Sequence, residues 1–344
     1  MFKRELIKRI VEAIGIKKGD IVLLQLWGED EEREILKDFS YEVAAIGATP
    51  MEQQHSRIYY KKLFEATKDK CYSQRFFKSF EEVSVVIDIC TYEPVKPHKE
   101  FPKDKINFYR EYMGELFKAL SNKEKFVQIR IPTIENSLGT NLDFEEYKTL
   151  MMKAYDINYD KLKIKSNDMV NALLNKDLTK IITDKHHELF LYLENRHWYI
   201  DAGDGDLPCG EIYIAPIENS ANGSIFIEKF FLEGKILENL VLTFKDGRLI
   251  NSSSEIFNEY LKTLPENANV LCELGIGLNE NVTDLVGYTA LDEKAKGTIH
   301  IAIGMNTMFG GNNQCSYHKD FVFKGTLIFN DEIKIEHGEV EILT

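Results

Sequence analysis

The chain has 344 residues, of which 44% are hydrophobic and 29% are charged, and its formal net charge at pH 7 is −13. This length fits two domains better than one hydrophobic core, and the lack of any apolar run of about 18 residues excludes a membrane span. An acidic chain repels phosphate backbones, and no cluster of lysine and arginine is interleaved with aromatic residues, so nucleic-acid binding is not expected either.

The N-terminal stretch and the cysteines bear on the cellular compartment. The segment MFKRELIKRIVEAIG mixes charges with apolar residues at helical spacing, whereas a signal peptide needs an uninterrupted apolar core. The five cysteines are widely scattered and lack CxxC spacing, which indicates neither a disulfide framework nor a thiolate zinc site. The sequence therefore predicts a cytoplasmic protein.

The first half of the chain alternates helical patterns with short apolar runs. An amphipathic helix is predicted over residues 3–14, and further helical patterns follow around 29–38 and 60–66 and in NFYREYMGELFKALSN. The apolar runs between them, IVLLQLWG, VSVVIDICTY and FVQIRIPT, have the composition of buried strands. Buried strands that alternate with helices indicate a parallel sheet covered on both faces, so we predict an α/β N-terminal domain with a parallel sheet.

The pattern changes after a lysine-rich helical region at about 145–178. Downstream segments, among them GSIFIEKFFLEG and KILENLVLTFKDGRLI, alternate apolar and polar residues between Gly, Asn and Asp turns, which is typical of antiparallel strands. We place the domain boundary near residue 165, with the α/β domain over 1–165 and a β-rich α+β domain over 166–344.

Five polar residues in the β-rich half stand where strand packing does not require them. Glu211 begins a strand after a Pro and Gly turn, Glu273 lies within a largely apolar run, and His300 lies in the strand TIHIAIG. His318 and Asp320 follow in SYHKD, and in an extended segment they point to the same face because side chains repeat every two residues. Together they offer two imidazoles and three carboxylates, enough for two divalent cations about 3.5–4 Å apart.

Each of these residues also has a purely structural interpretation. His300 alone on an apolar strand is typical of a core histidine, Glu211 alone could pair with a lysine, and HxD is a weak pattern. Glu273 is the stronger candidate because a buried carboxylate demands a counter-charge. The neighbouring segment DAGDGDLP, with Asp201, resembles a calcium loop in composition but lacks the terminal Glu, and we predict a turn there.

Several motifs, in order, resemble the M29 family of metallopeptidases, the aminopeptidase T group of leucyl aminopeptidases. They are LPCGEIYIAPIENSANGSI, the Glu-Leu-Gly of VLCELGIGLN, LDEKAKGTIHIAIG and GGNNQCSYHKDFVF. The resemblance is clear over about 200–325. It implies a hydrolytic site with two divalent metal ions (Zn, Co, Mn or Mg), peptide substrates with a free N-terminus, and a homodimer.

The resemblance also assigns roles to residues. It implies that the metal ligands are Glu211, Glu273, His300, His318 and Asp320, which are the five residues selected above, and that the second domain is the catalytic one. The tyrosine proposed as catalytic in the family falls within MNTMFGG, where this chain has Thr307 instead; Tyr317 is the candidate substitute. Glu273 is the expected catalytic carboxylate, and Glu293 could also move a proton or could be a surface turn residue.

Three functional hypotheses follow. The leading one is a two-metal aminopeptidase that hydrolyses the N-terminal peptide bond through a metal-activated water. The second is a homologue that binds metal and peptide without turnover, which the missing tyrosine motivates. The third is a mononuclear Fe(II) ring-cleaving dioxygenase, because 2,5-dihydroxypyridine dioxygenases are similar to this family and two histidines with one carboxylate form their type of site. Retention of both Glu211 and Glu273 favours the hydrolase.

Overall fold

A computed structural model describes residues 2–343 and divides the chain into two compact units. The first contains the residues up to Tyr155 together with Gly203–Pro208, and the second contains Asp156–Ala202 and the residues from Cys209 onward. The predicted boundary near residue 165 falls within a helix of the second unit, Tyr159–Leu173. Within residues 2–343, no helix has both the length and the apolar character needed to cross a bilayer.

Helices are concentrated in the first unit. The α-helices of the described residues are α1 (Arg4–Ile14), α2 (Arg33–Ile46), α3 (Arg57–Ala66), α4 (Gln74–Lys78), α5 (Ile106–Leu120), α6 (Ile134–Ser137), α7 (Phe144–Tyr155), α8 (Tyr159–Leu173), α9 (Glu255–Lys262) and α10 (Thr289–Asp292).

Strands are distributed over both units. They are β1 (Ile21–Trp27), β2 (Thr49–Gln54), β3 (Val85–Cys90), β4 (Lys125–Arg130), β5 (Leu178–Ile182), β6 (Glu188–Tyr192), β7 (Tyr199–Asp201), β8 (Asp206–Leu207), β9 (Glu211–Ile214), β10 (Asn222–Leu232), β11 (Lys235–Lys245), β12 (Arg248–Ser252), β13 (Leu271–Gly277), β14 (Thr298–Gly304), β15 (His318–Lys324), β16 (Thr326–Phe329), β17 (Ile333–Glu336) and β18 (Glu339–Ile342).

The first unit is built on a five-stranded parallel sheet in the order β2-β1-β3-β4-β8. All residues of β3 are buried, as are all but the first of β1, because helices cover both faces. The amphipathic helix α1 buries one stripe of apolar residues. It ends at Gly15, which has a φ of 71° and so adopts the left-handed backbone conformation that commonly terminates a helix. The predicted α/β architecture with a parallel sheet is confirmed.

The second unit contains two antiparallel sheets, which confirms the predicted β-rich character. One has eight strands in the order β12-β11-β10-β6-β5-β16-β17-β18, and the other has five in the order β15-β14-β13-β9-β7. Strands β13 and β14 lie inside the five-stranded sheet and every residue of both is buried. Glutamate and histidine side chains on these two strands are therefore held in a desolvated environment.

Candidate metal centre

Cross-strand register puts the five predicted ligands on one face of the five-stranded sheet. Glu273 on β13 pairs with Ala302, which pairs with Asp320 on β15, and residues paired directly across strands share a face. His318 pairs with Gly304 on the same strand β14. Glu211, the first residue of β9, pairs with β13 at Gly277.

Regular pairing from Glu273 onward decides the side on which Glu273 lies. Glu273 pairs with Ala302 and Gly275 pairs with His300, so Glu273 shares a face with His300. A β-bulge shifts the register just before this stretch, between Leu271 and Glu273, and Leu271 pairs with Ile303, whose side chain is on the other face. The part of β13 that follows the bulge therefore carries Glu273 on the face of the cluster.

The carboxylate of Glu273 lies between two imidazoles. Its Oε1 is 3.6 Å from Nε2 of His300, and its Oε2 is 3.3 Å from Nε2 of His318. Each imidazole has a second carboxylate neighbour, with Glu211 Oε2 at 3.5 Å from His300 Nε2 and Asp320 Oδ1 at 3.3 Å from His318 Nε2. All five predicted ligands thus form one continuous cluster.

The groups of the cluster are buried and shift one another's pKa values. Glu211, Glu273 and His300 are all buried, His300 to within 1% of full burial. Burial opposes ionisation of Glu273, but the hydrogen bonds and charges of His300 and His318 prevail and lower the pKa of the Glu273 carboxyl well below its usual range. Conversely, burial lowers the pKa of His300, but the neighbouring Glu273 and Glu211 outweigh it and raise that pKa above its usual range. The imidazoles and carboxylates of the cluster therefore stabilise one another's charged forms.

The orientation of His318 is fixed from its other ring nitrogen. Nδ1 of His318 is 2.9 Å from the carbonyl oxygen of Met305, to which its N–H donates a hydrogen bond. This bond leaves Nε2 facing Glu273 and Asp320. A histidine held by its Nδ1 proton in this way is the usual arrangement of a histidine that binds a metal through Nε2.

The donor set fits divalent metal ions. One ligand atom each from Glu273, His300 and Asp320 lie within 4.8 Å of one another. Oε2 of Glu211 is buried and accepts no hydrogen bond from any residue in the described range 2–343. A buried carboxylate oxygen in that state is costly, and a cation next to His300 would satisfy it.

The sequence reasoning missed one member of the cluster, Lys294. Its side chain is 3% exposed, and its Nζ lies 2.5 Å from Glu211, 3.1 Å from Glu293 and 3.7 Å from Asp201. Asp201 ends strand β7 and is buried, so its assignment to a turn was wrong; pairing with Glu211 on β9 extends the strand to include it. The signal for Lys294 was its position in LDEKAKG, directly before the buried strand β14.

Tyr317 and Thr307 lie next to the cluster in sequence. The Tyr317 hydroxyl is hydrogen-bonded to the hydroxyl of Tyr260 at 2.9 Å, and burial raises the pKa of Tyr317. Because Tyr317 precedes His318 directly, its side chain leaves the strand toward the opposite face. Thr307 is an exposed residue of a short 3-10 turn over Thr307–Phe309.

A cavity of about 480 Å³ adjoins the cluster at Asp320. Its wall combines apolar side chains, among them Phe231, Leu285 and Val322, with charged ones such as Lys324. All of its lining residues belong to the second unit. The cavity gives the face that carries the carboxylates and imidazoles a recess with ample room for an amino-acid side chain.

Comparison with known proteins gives a family and a fold. Residues 12–327 match the family described as thermophilic metalloprotease (M29). Wild-type AmpT from Thermus thermophilus has a similar structure, with a TM-score of 0.66 at 16% identity over 100% of this chain and 98% of that chain. The MJ0684 protein from Methanococcus jannaschii covers 50% of this chain and 52% of its own at 14% identity, and its TM-score of 0.19 supports no conclusion. A search of curated protein sequences gave no significant match.

Proposed function

The chain belongs to the M29 family of metalloproteases and is a metal-dependent hydrolase, and from this premise we propose that it is a two-metal aminopeptidase. It would hydrolyse the N-terminal peptide bond of peptides through a metal-activated water. The resemblance of the sequence to the aminopeptidase T group supports the N-terminal specificity.

The observation that carries the proposal is the position of Glu273 between two imidazoles. In this proposal Glu211, His300 and Glu273 would hold one metal, and His318, Asp320 and Glu273 would hold the other. Imidazole with carboxylate suits Zn, Co or Mn, and carboxylate alone suits Mg. Such metals would lower the pKa of a water molecule and polarise the scissile carbonyl.

The protein's own groups position the peptide and move protons. Glu273 contacts both imidazoles from strand β13 and so orients them, and we propose that it is also the catalytic carboxylate. Glu293 is the second proton carrier that we propose, because its side chain is only 15% exposed and burial raises the pKa of its carboxyl, although Lys294 acts in the opposite direction. Tyr317 stays a candidate for a hydrogen bond to the reacting carbonyl. In that role its side chain would have to leave Tyr260 and turn to the face of the sheet that carries the cluster.

The substrate is a peptide with a free N-terminus. A free α-amino group would be held by a carboxylate beside the metals or by a metal, whereas a blocked N-terminus has no basic nitrogen to offer. We place the side chain of the N-terminal residue in the cavity beside Asp320, between Val322 and Phe231. The homodimer remains a prediction from the family resemblance.

Metal analysis combined with a substrate panel tests this function. The purified protein is analysed for metal as isolated and after titration with Zn, Co and Mn, and each form is assayed on aminoacyl chromogenic substrates with free and with blocked N-termini. We expect two equivalents of metal and release only from free substrates, abolished in Glu273→Ala. One equivalent of iron without hydrolysis would instead support the dioxygenase, and two metals without turnover would support the inactive homologue, which Thr307 at the tyrosine position favours.

A further inference from the structure

Lys294 is a buried cation among three carboxylates. A lysine is rarely this deeply buried unless it is paired, and removal of one partner of a buried charge pair is strongly destabilising. The shortest of its contacts is the hydrogen bond that Nζ donates to Oε1 of Glu211 at 2.5 Å. The carboxyl groups of Asp201 and Glu293 complete the set around it.

The two carboxylate oxygens of Glu211 have different surroundings. Oε1 accepts the hydrogen bond of Lys294, whereas Oε2 faces Nε2 of His300 at 3.5 Å. Within residues 2–343, Oε2 accepts no hydrogen bond, so this oxygen keeps all of its acceptor capacity for a ligand beside His300. The contact with Lys294 therefore selects which oxygen of Glu211 faces the cluster.

We infer that Lys294 is a positioning residue for Glu211. Its ammonium group holds Oε1 and thereby directs Oε2 toward His300, so that Glu211 is in place before a metal binds. The inference rests on the proposed function, because it takes Glu211 as a metal ligand. Lys294 itself contacts neither substrate nor metal in this role and acts through Glu211 alone.

Lys296 provides a matched control two residues along the chain. Its Nζ also binds two carboxylates, Glu339 at 2.8 Å and Glu280 at 3.7 Å, but its side chain is 31% exposed. Neither of these carboxylates belongs to the cluster. Replacement of Lys296 by methionine removes the same charge from the same stretch of chain without touching Glu211.

The experiment measures metal affinity in the full-length protein. Metal-free wild type, Lys294→Met and Lys296→Met are titrated with Mn²⁺ by calorimetry, and circular dichroism and the unfolding temperature of the metal-free forms establish that each is folded. Outer partners of metal ligands typically contribute 10- to 100-fold in metal affinity. We expect Lys294→Met to bind one of the two metals about 10- to 100-fold more weakly than wild type. In Lys296→Met the metal affinity should change by less than about threefold.

A double-mutant cycle with Glu211→Gln separates positioning from general structural support. If Lys294 acts through Glu211, then Lys294→Met causes no further loss of affinity in the Glu211→Gln background. An equal loss in both backgrounds would overturn the inference, and so would an unchanged affinity in Lys294→Met alone. If Glu211→Gln itself leaves the affinity unchanged, the ligand assignment of the proposed function fails and this inference fails with it.

A charge-balanced variant covers the case in which Lys294→Met does not fold. Asp201→Asn combined with Lys294→Met removes one buried carboxylate together with the ammonium group, and Asp201→Asn alone serves as its reference. The same Mn²⁺ titration is expected to show the 10- to 100-fold loss between these two proteins. Equal affinities would contradict the positioning role.

Discussion

The imidazole of His300 occupies the space that a side chain at Gly275 would need. The two residues pair across strands β13 and β14, and a Cβ atom added to Gly275 would lie 1.9 Å from Nε2 of His300. The glycine in the Glu-Leu-Gly motif thus leaves room for the proposed metal ligand on the neighbouring strand.

Substitution of Gly275 by alanine is expected to displace His300. Because the methyl group and the imidazole cannot both fit, the ring or the strand must move, and a shift of about 1 Å at a reacting centre can lower activity by about 100-fold. We expect at least a tenfold loss of metal affinity, measured by calorimetry. The control is Gly114→Ala in helix α5, where an added Cβ meets no atom of the described chain within 4 Å and where alanine favours the helix. Wild-type affinity in Gly275→Ala would contradict the steric account.

Substitution of Val322 by phenylalanine is expected to change substrate preference. Val322 lines the cavity beside Asp320, and a larger side chain there reduces the room for the N-terminal residue of the substrate. A few carbon atoms in such a pocket change selectivity by about 10- to 200-fold. We expect kcat/KM for leucyl substrates to fall at least tenfold relative to alanyl substrates. Val340→Phe, on the exposed strand β18, should leave the ratio unchanged; equal ratios in Val322→Phe would remove the cavity from the substrate site.

Replacement of Tyr317 by phenylalanine tests its catalytic assignment. If its hydroxyl donates a hydrogen bond to the reacting carbonyl, Tyr317→Phe lowers kcat by about 100-fold at unchanged metal content, as loss of one such donor typically does. Tyr260→Phe removes only its present hydrogen-bond partner and should lower kcat by less than about threefold. A wild-type kcat in Tyr317→Phe would leave this chain without a catalytic tyrosine at either position.

The first unit contains a buried polar chain that predicts a pH dependence of stability. Gln25 donates from Nε2 to Oδ1 of Asp88 at 2.7 Å, so its Oε1 accepts a hydrogen bond from Nε2 of His55 at 2.8 Å. The hydroxyl of Tyr60 then donates to Nδ1 of His55 at 2.9 Å. Burial lowers the pKa of His55 to about 3 and raises the pKa of Asp88 to about 7.

The two groups have opposite effects on stability. Between pH 6.5 and 3 the unfolded chain binds a proton that native His55 does not, so acidification destabilises the protein through His55. Native Asp88 instead holds a proton that the unfolded chain releases between about pH 4 and 7, so a rise in pH destabilises it. Asp88→Asn removes the second effect and leaves the first.

In Asp88→Asn, the free energy of unfolding should fall by about 1.4 kcal/mol for each pH unit below about 6, because His55 alone then sets the slope in this network. Urea unfolding of the metal-free protein at several pH values measures it. The reference is the double variant Asp88→Asn with His55→Gln. A glutamine amide can donate to Gln25 and accept from Tyr60 as the imidazole does, but it cannot titrate. The difference in unfolding free energy between Asp88→Asn and this double variant isolates the contribution of His55. Parallel pH profiles would show that His55 is protonated in the native state.

Local patterns in the sequence were sufficient to predict much of the secondary structure of this protein. Period-two alternation predicted the antiparallel strands, apolar runs between helices predicted the parallel sheet, and the spacing of His318 and Asp320 predicted that they share a face. These features depend on neighbours a few residues apart, so the chain specifies them locally. The ordered motifs around Glu211, Glu273 and His300 were sufficient to identify the family.

The tertiary structure decided what depends on register between distant strands. The register of β13 against β14 puts Glu273 and His300 on one face, and no local spacing in VLCELGIGLN predicts which residues of the two strands will pair. In the sequence, Lys294 is one of two lysines in a charged stretch, and nothing distinguishes it from Lys296. Chain packing buries Lys294 against Glu211, whereas Lys296 stays partly exposed. Burial and cross-strand contact arise only when distant segments pack together, as Lys294 and Glu211 do from 83 residues apart. A short window of sequence therefore cannot predict them.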